Sequence, residues 1–280
     1  MLTNNFNSVN TNILPLPTVS EDDCELVLKY ITFIIDISGS MSNDIKKVYT
    51  SFEETLSSLQ NINNKSIDIE TVVKLAFFND DTTPANDVHQ KPEKLLDMIS
   101  ADDFKCEGRT NEHSVIEFID NELSRKNPAI ANLKKNAPGV DFVIITDGQS
   151  NDAEELREKA RRRLESNHYY QKGYARIIVI YIGENDRHKK TAIALAGGKE
   201  ENVISLSDDL APMLSSFIIK NTVIRPDATH MGDNEEGTTT LKDSADEIMK
   251  REQQGTLSVD ELTENDIDVM LSKLMGKDVR

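Results

Sequence analysis

An α/β fold, a doubly wound and mostly parallel sheet flanked by helices, is what this sequence predicts, and three observations carry that expectation. Runs of β-branched and aromatic residues alternate along the chain with helix-spaced apolar patterns, the rhythm of repeated strand–turn–helix units. The strongest runs, over 31–35, 140–146 and 175–183, are apolar at nearly consecutive positions, as strands covered on both faces are. Two of them stop abruptly at an aspartate, Asp36 and Asp147. In open α/β sheets the carboxyl ends of strands are where sites form.

Taken in order, residues 1–22 contain Pro15 and Pro17, which resist helix, and read as a flexible leader. The first strand spans 25–35. Ile45, Val48, Tyr49, Phe52, Leu56 and Leu59 mark one face of a helix over 43–59. Ser42 or Asn43 is its expected N-cap, and Asn61-Ile62-Asn63-Asn64 its end. A second strand region covers 67–78. A turn at 82–86 follows, then a short edge strand at 88–91 and a helix from Pro92 through Ile99. Proline suits a first helical turn because its missing N–H would have no partner there.

A loop over 101–109 leads to Thr110 and to a helix carrying Val115, Ile116, Phe118, Ile119 and Leu123. Pro138-Gly139 breaks the chain before the strand at 140–146. Asp152 is the expected cap of a charged helix running to about Glu165. After the strand at 175–183 come a helix over 191–196, closed by Gly197-Gly198, and a short strand over 202–206. An amphipathic helix over 208–222 closes the domain with Leu210, Met213, Leu214, Phe217 and Ile218.

These elements form one expected domain over 23–225. Beyond Pro226 the character changes: residues 226–280 hold 14 acidic residues against 6 basic. They read as an acidic linker ending in a short amphipathic helix. Ser258 and Glu261 have capping-box spacing, and Ile267, Met270, Leu271, Leu274 and Met275 share one face. That face is either a docking element for another protein or an added layer on the main domain.

The chain has 280 residues and a formal charge of −17, from 32 basic and 49 acidic side chains. Such a surface argues against nucleic-acid or anionic-membrane binding, which need basic charge. The longest apolar run, over 176–182, is far too short to span a bilayer. The first twenty residues lack the basic and apolar regions of a secretory signal. Cys24 and Cys106 make no disulfide framework. A cytoplasmic protein is the expectation.

The chemistry concentrates in Asp36-Ile37-Ser38-Gly39-Ser40, with Thr110 after Gly108 and with Asp147 in Thr146-Asp147-Gly148. Alternation along the unwinding strand points Asp36, Ser38 and Ser40 the same way, and Gly39 is expected to allow the sharp turn that brings Ser40 round. Parallel strands put Asp36 and Asp147 at one sheet edge. Two carboxylates, three hydroxyls and water make an all-oxygen site. It suits Mg²⁺ or Mn²⁺, with Ca²⁺ possible, and does not suit Zn²⁺.

In order and approximate spacing these residues resemble a von Willebrand factor A (vWA) domain with a complete metal-ion-dependent adhesion site, over roughly residues 25–222. The resemblance implies a Rossmann-like fold. It implies Ser38, Ser40 and Thr110 as direct cation ligands, and Asp36 and Asp147 as ligands bound directly or through water. It implies a partner protein whose Asp or Glu carboxylate fills the open position. One departure is Arg109, where the family commonly has glycine, which leaves the loop conformation open. Asn202-Val203-Ile204-Ser205-Leu206, followed by the helix through Phe217, and the cytoplasmic character resemble bacterial TerY-type proteins of tellurite-resistance and related stress operons. That resemblance implies association with a protein kinase and a PP2C-type phosphatase.

Other candidates carry a blander reading beside the functional one. Asp80 and Asp81 are a solvated turn rather than accessory ligands, and His113 is a rim residue rather than a ligand. Cys106 lies near the site without a paired histidine and is no nucleophile, and Cys24 is a buried apolar residue. Asp36 with Asp147 as an acid/base pair of a Mg²⁺-dependent phosphohydrolase is one alternative function, and a structural subunit that binds through its acidic C-terminal helix is another. Arg157, Lys159, Arg161, Arg162 and Arg163 form a solvated helix face, or else a local anion patch. Thr240 with Asp243 has the spacing that forkhead-associated (FHA) domains prefer in phosphothreonine ligands, against a plain polar linker over Thr238–Thr240.

Overall fold

The computed structural model of the chain describes residues 27–65, 69–124 and 139–206. The expected leader, the helix over 208–222 and the acidic segment with its closing helix lie outside the described residues. So does Cys24.

Six strands form one sheet: β1 (Val27–Asp36), β2 (Ile69–Phe78), β3 (Thr82–Pro84), β4 (Val140–Thr146), β5 (Ala175–Ile182) and β6 (Val203–Leu206). Their order is β3-β2-β1-β4-β5-β6. All neighbours pair in parallel except β2 and β3. The chain runs outward from β1 to β3 and then returns to place β4 on the other side of β1. This is the doubly wound arrangement expected from the sequence, and its switch point lies between β1 and β4.

The helices are α1 (Ile45–Lys65), α2 (Pro92–Leu96), α3 (Glu112–Ser124), α4 (Glu154–Glu165), α5 (His168–Gln171) and α6 (Asp186–Leu195). Strand alternation sorts the core into two layers. Ile31, Phe33 and Ile35 pack with Val48, Phe52, Leu56 and Leu59 of α1. Ile34, Phe142 and Ile144 pack with Val115, Ile119 and Leu123 of α3, Leu164 of α4 and Leu195 of α6. β4 and β5 are buried at every position, which is why they read as unbroken apolar runs.

Several element ends differ from the sequence expectation, each for a visible reason. Helix α1 does not stop at the asparagines but runs to Lys65. Asn63 accepts from the Thr71 N–H at 2.7 Å and donates to the Thr71 carbonyl at 2.8 Å, so its amide docks the helix on β2. Neither Ser42 nor Asn43 caps α1, because a 3₁₀ turn over Gly39–Asn43 precedes it. The expected turn after β2 is a hairpin, with Phe78 opposite Thr82 and Ala76 opposite Pro84. Three residues are too few to show alternation. The edge strand at 88–91 reduces to one bridge between Gln90 and Val73, and α2 ends at Leu96 rather than Ile99. Helix α6 begins five residues before the expected start. Asn185 caps it by accepting from the Arg187 N–H at 2.9 Å, and its charged first turn hid it from an apolar-pattern reading.

At the sheet end remote from Asp36, Asp141 of β4 is fully buried between two cations. Lys29 of β1 lies 2.9 Å from one carboxylate oxygen, and Arg176 of β5 contacts both oxygens at 3.1 and 2.9 Å. Burial alone would raise the Asp141 carboxyl pKa; the Arg176 and Lys29 charges outweigh it and hold it below the ordinary range. Asp141→Asn, measured by urea denaturation, is expected to cost about 3–5 kcal/mol, because it leaves buried positive charge uncompensated.

His89 stacks edge-on against Tyr30 and shares a hydrogen bond with the Thr32 hydroxyl at 2.9 Å. Burial, with a smaller contribution from the Lys74 charge, pushes its pKa from 6.5 down to about 3. The unfolded chain therefore takes up a proton that the folded chain refuses, and stability falls as pH drops from about 6.5 toward 3. The slope from this one group reaches at most about 1.4 kcal/mol per pH unit. Denaturation midpoints of the wild type and of His89→Gln should diverge over that window. Parallel curves would show that His89 is not the source.

Candidate metal centre

The site is built on the carboxyl ends of β1 and β4. Asp36, the last residue of β1, is fully buried. One carboxylate oxygen accepts from the Thr146 hydroxyl at 2.6 Å and the other from the Ser38 amide at 2.9 Å. Burial raises its pKa to about 6, against those hydrogen bonds and with a small push from the nearby Asp147 charge. Among the described residues no basic side chain pairs with it. Thr146 also accepts from the Gly148 amide at 3.0 Å, so one hydroxyl fixes both the carboxylate and the turn after Asp147. The Asp147 carboxylate in turn accepts from the Gln149 amide at 3.0 Å.

Ser38 is buried and Ser40 half-buried, with their hydroxyl oxygens 3.1 Å apart. The 3₁₀ turn carries Ser40 round, and it does not need the conformational freedom of Gly39. The Gly39 φ is not in the left-handed region, and a Cβ there would meet the Gly108 carbonyl at an ordinary 3.5 Å. The expectation that Gly39 makes the turn is therefore corrected. Gly108 is the glycine the loop requires: its φ is +76°, and a Cβ would collide with the Asp80 carboxylate.

Thr110 arrives on that loop and is buried. Asn151 grips it, accepting from the Thr110 N–H at 2.9 Å and donating its own N–H to the Thr110 carbonyl at 2.9 Å. The Glu107 N–H donates to the Ile37 carbonyl, and the Gly39 N–H to the Gly108 carbonyl, so the loop is stitched to the end of β1. Arg109 is exposed and is not among the residues that line the cleft.

Ser38, Ser40 and Thr110 thus line one cleft of about 500 Å³ together with Gly148, Gln149 and Ser150. Asp36 and Asp147 are buried at the strand ends beside it. The structure brings all five sequence-selected residues to one place. Among the described residues no three His, Cys, Asp or Glu side chains gather to hold a metal. The donors at this place are hydroxyls with two carboxylates, a set that fits a hard divalent cation.

The neighbours settle other readings. Asp152 does not cap α4, whose N-cap is Ala153. It accepts from the His113 amide at 2.6 Å and contacts the His113 ring at 2.9 Å, capping α3 from across the cleft instead. Asp80 and Asp81 are exposed turn residues. Burial, with the Asp36 and Asp147 charges, pushes the Cys106 thiol up, against a nucleophile's needs. Thr146 and Asn151 were not assigned roles from the sequence. Asn151 lies beside Asp152, the expected helix cap, and nothing in the local sequence marks it as a partner of Thr110.

Residues 31–217 match the von Willebrand factor type A domain family. A search of curated proteins returns no match. Among solved structures the chain is similar to the pilus adhesin SpaC from Lactobacillus rhamnosus GG (12% identity, TM-score 0.50, covering 71% of this chain and 31% of that one). It is similar to a von Willebrand factor type A structure from Catenulispora acidiphila (14%, 0.48, 75% and 44%). It is also similar to proximal thread matrix protein 1 of the mussel byssus with a zinc-occupied MIDAS motif (17%, 0.43, 75% and 46%). The chain spans less than half the length of each of these structures, and the likeness to SpaC speaks for the fold alone. Among the described residues no helix is long and apolar enough to cross a membrane. With two-thirds of its length matched by the family's sequence pattern, the chain belongs to the von Willebrand factor type A domain family.

Proposed function

We propose that the chain is a cytoplasmic, metal-dependent protein-interaction module. Domains of this family are generally interaction modules rather than enzymes. The observation that carries the reading is the convergence of Ser38, Ser40 and Thr110 on one cleft, beside the buried Asp36 and Asp147. Those five side chains would hold Mg²⁺, with Mn²⁺ or Ca²⁺ as alternatives. A bound cation supplies an open position that a partner's Asp or Glu carboxylate fills.

The chain's own part is preorganisation. Thr146 and the Ser38 amide orient Asp36, Asn151 orients Thr110, and the Gly148 turn orients Asp147. A scaffold role in a bacterial stress or defence system of TerY type follows from the sequence resemblance. Its partners there would be a kinase, a PP2C-type phosphatase or a forkhead-associated protein. The phosphohydrolase reading is weaker, because among the described residues no hydrogen-bonded hydroxyl–histidine or thiol–histidine pair lines the cleft.

A chelator, Asp36→Ala or Thr110→Ala is expected to abolish metal-dependent partner capture in a pull-down read by mass spectrometry, with circular dichroism unchanged. Capture that survives all three would show that the site is not the recognition surface. Thr146→Val removes the donor to Asp36 while preserving shape. Calorimetric titration with Mg²⁺, Mn²⁺, Ca²⁺ and Zn²⁺ should show affinity for the preferred ion weakened by about 10–100-fold. Unchanged affinity would remove Thr146 from the machinery.

A further inference from the structure

The rim of the cleft carries basic charge on a chain whose net charge is −17. Arg157, Arg187 and His188 line the same cleft as Ser38, Ser40 and Thr110. A second cleft of about 320 Å³ lies between α4 and α6 and shares Arg157, Arg187 and Thr191 with the first, so the two form one trough. Lys190 and Arg161 line its far part.

These cations fall into two groups. Arg157 lies 3.5 Å from the buried Glu112, and Arg161 pairs with Glu158 at 2.8 Å. Most of the basic run of α4 is neutralised in the same way, with Arg162 against Glu158 and Arg163 against Asp120. Lys159, Arg162 and Arg163 are exposed, as a solvated face would be, whereas Arg157 and Arg161 are half-buried and line the clefts. Arg187 and Lys190 differ. They are exposed, lie one turn apart on α6, and have no acidic partner among the described residues.

We propose that the trough seats an acidic peptide segment of a partner protein through two carboxylates. One lies over the Ser38–Ser40–Thr110 cluster and the other against Arg187 and Lys190. The proposal rests on the metal-site reading and adds a second contact to it. A guanidinium offers a carboxylate two parallel donors, and the lysine adds a mobile point charge. Elsewhere the acidic surface repels such a segment, and the exposed Glu154 on the α4 wall of the trough favours seating on the α6 side. Charge of both signs therefore sets direction as well as affinity. A segment with one carboxylate can engage only the cation site, whereas a second, suitably spaced one also engages α6.

The test uses the full chain and two fluorescein-labelled peptides of equal length, titrated by anisotropy with Mg²⁺ or EDTA at low salt. One is a Gly-Ser peptide with a single Asp; the other carries Asp at every third position. Both should bind in a Mg²⁺-dependent way, the multi-Asp peptide tighter by about tenfold. The double variant Arg187→Glu/Lys190→Glu should erase that advantage, read as the ratio of the two peptides' affinities for the same variant. If neither peptide responds to Mg²⁺, the metal-site reading itself fails. If Mg²⁺ dependence holds but the advantage is absent, or survives charge reversal, the second contact alone is overturned.

Discussion

The hydrogen bond from the Thr146 hydroxyl to the Asp36 carboxylate, 2.6 Å long and fully buried, is the constraint on which the site depends. It joins the ends of the two central strands at the point where the sheet reverses its winding. Register makes it possible: Ile35 faces Ile145, so the next residue on each strand comes into reach. Because Thr146 also receives the Gly148 amide, the positions of Asp36 and of the turn after Asp147 are not independent. From Asp36 the order spreads to the Ser38 amide and the 3₁₀ turn. From that turn it passes through the Gly39 amide to the Gly108 loop.

The strands were legible because burial on both faces leaves its mark on composition; β4 and β5 have no exposed residue to break the run. Helix faces were legible through spacing, as Val48, Phe52, Leu56 and Leu59 show. Ends were not, because they depend on distant partners. Nothing local says that Asn63 will bond Thr71, or that Tyr181 will hold Asn185 through both its amide and its carbonyl. The same division applies to the site. Asp36, Ser38, Ser40, Thr110 and Asp147 could be chosen because their chemistry is intrinsic to the side chain. The roles of Thr146, Asn151 and Asp152 could not be read, since each is set by a distant atom that it meets only in the fold. Asp152 shows this most clearly: next to α4 in sequence, it serves α3 in space.

The two ends of the sheet handle charge in opposite ways. At one end Asp141 is matched by Lys29 and Arg176 within the fold. At the other, Asp36 and Asp147 gather with hydroxyls and backbone amides, and among the described residues no basic side chain pairs with either. The first arrangement is complete in itself. The second leaves its carboxylates without a cationic partner among the described residues, and in a chain this acidic that asymmetry singles out the cleft.

The Asp141 cluster also bears on how the sheet comes apart. One carboxylate takes a cation from β1 on one side and from β5 on the other, so three strands share a single electrostatic bond system. Peeling β5 away would strand Arg176, and lifting β1 would strand Lys29, in either case beside a half-paired anion in an apolar interior. Partial opening along either seam is therefore penalised more than the loss of backbone pairing alone would require. The centre of the sheet behaves as one cooperative unit, and local opening is left to the loops at its opposite end.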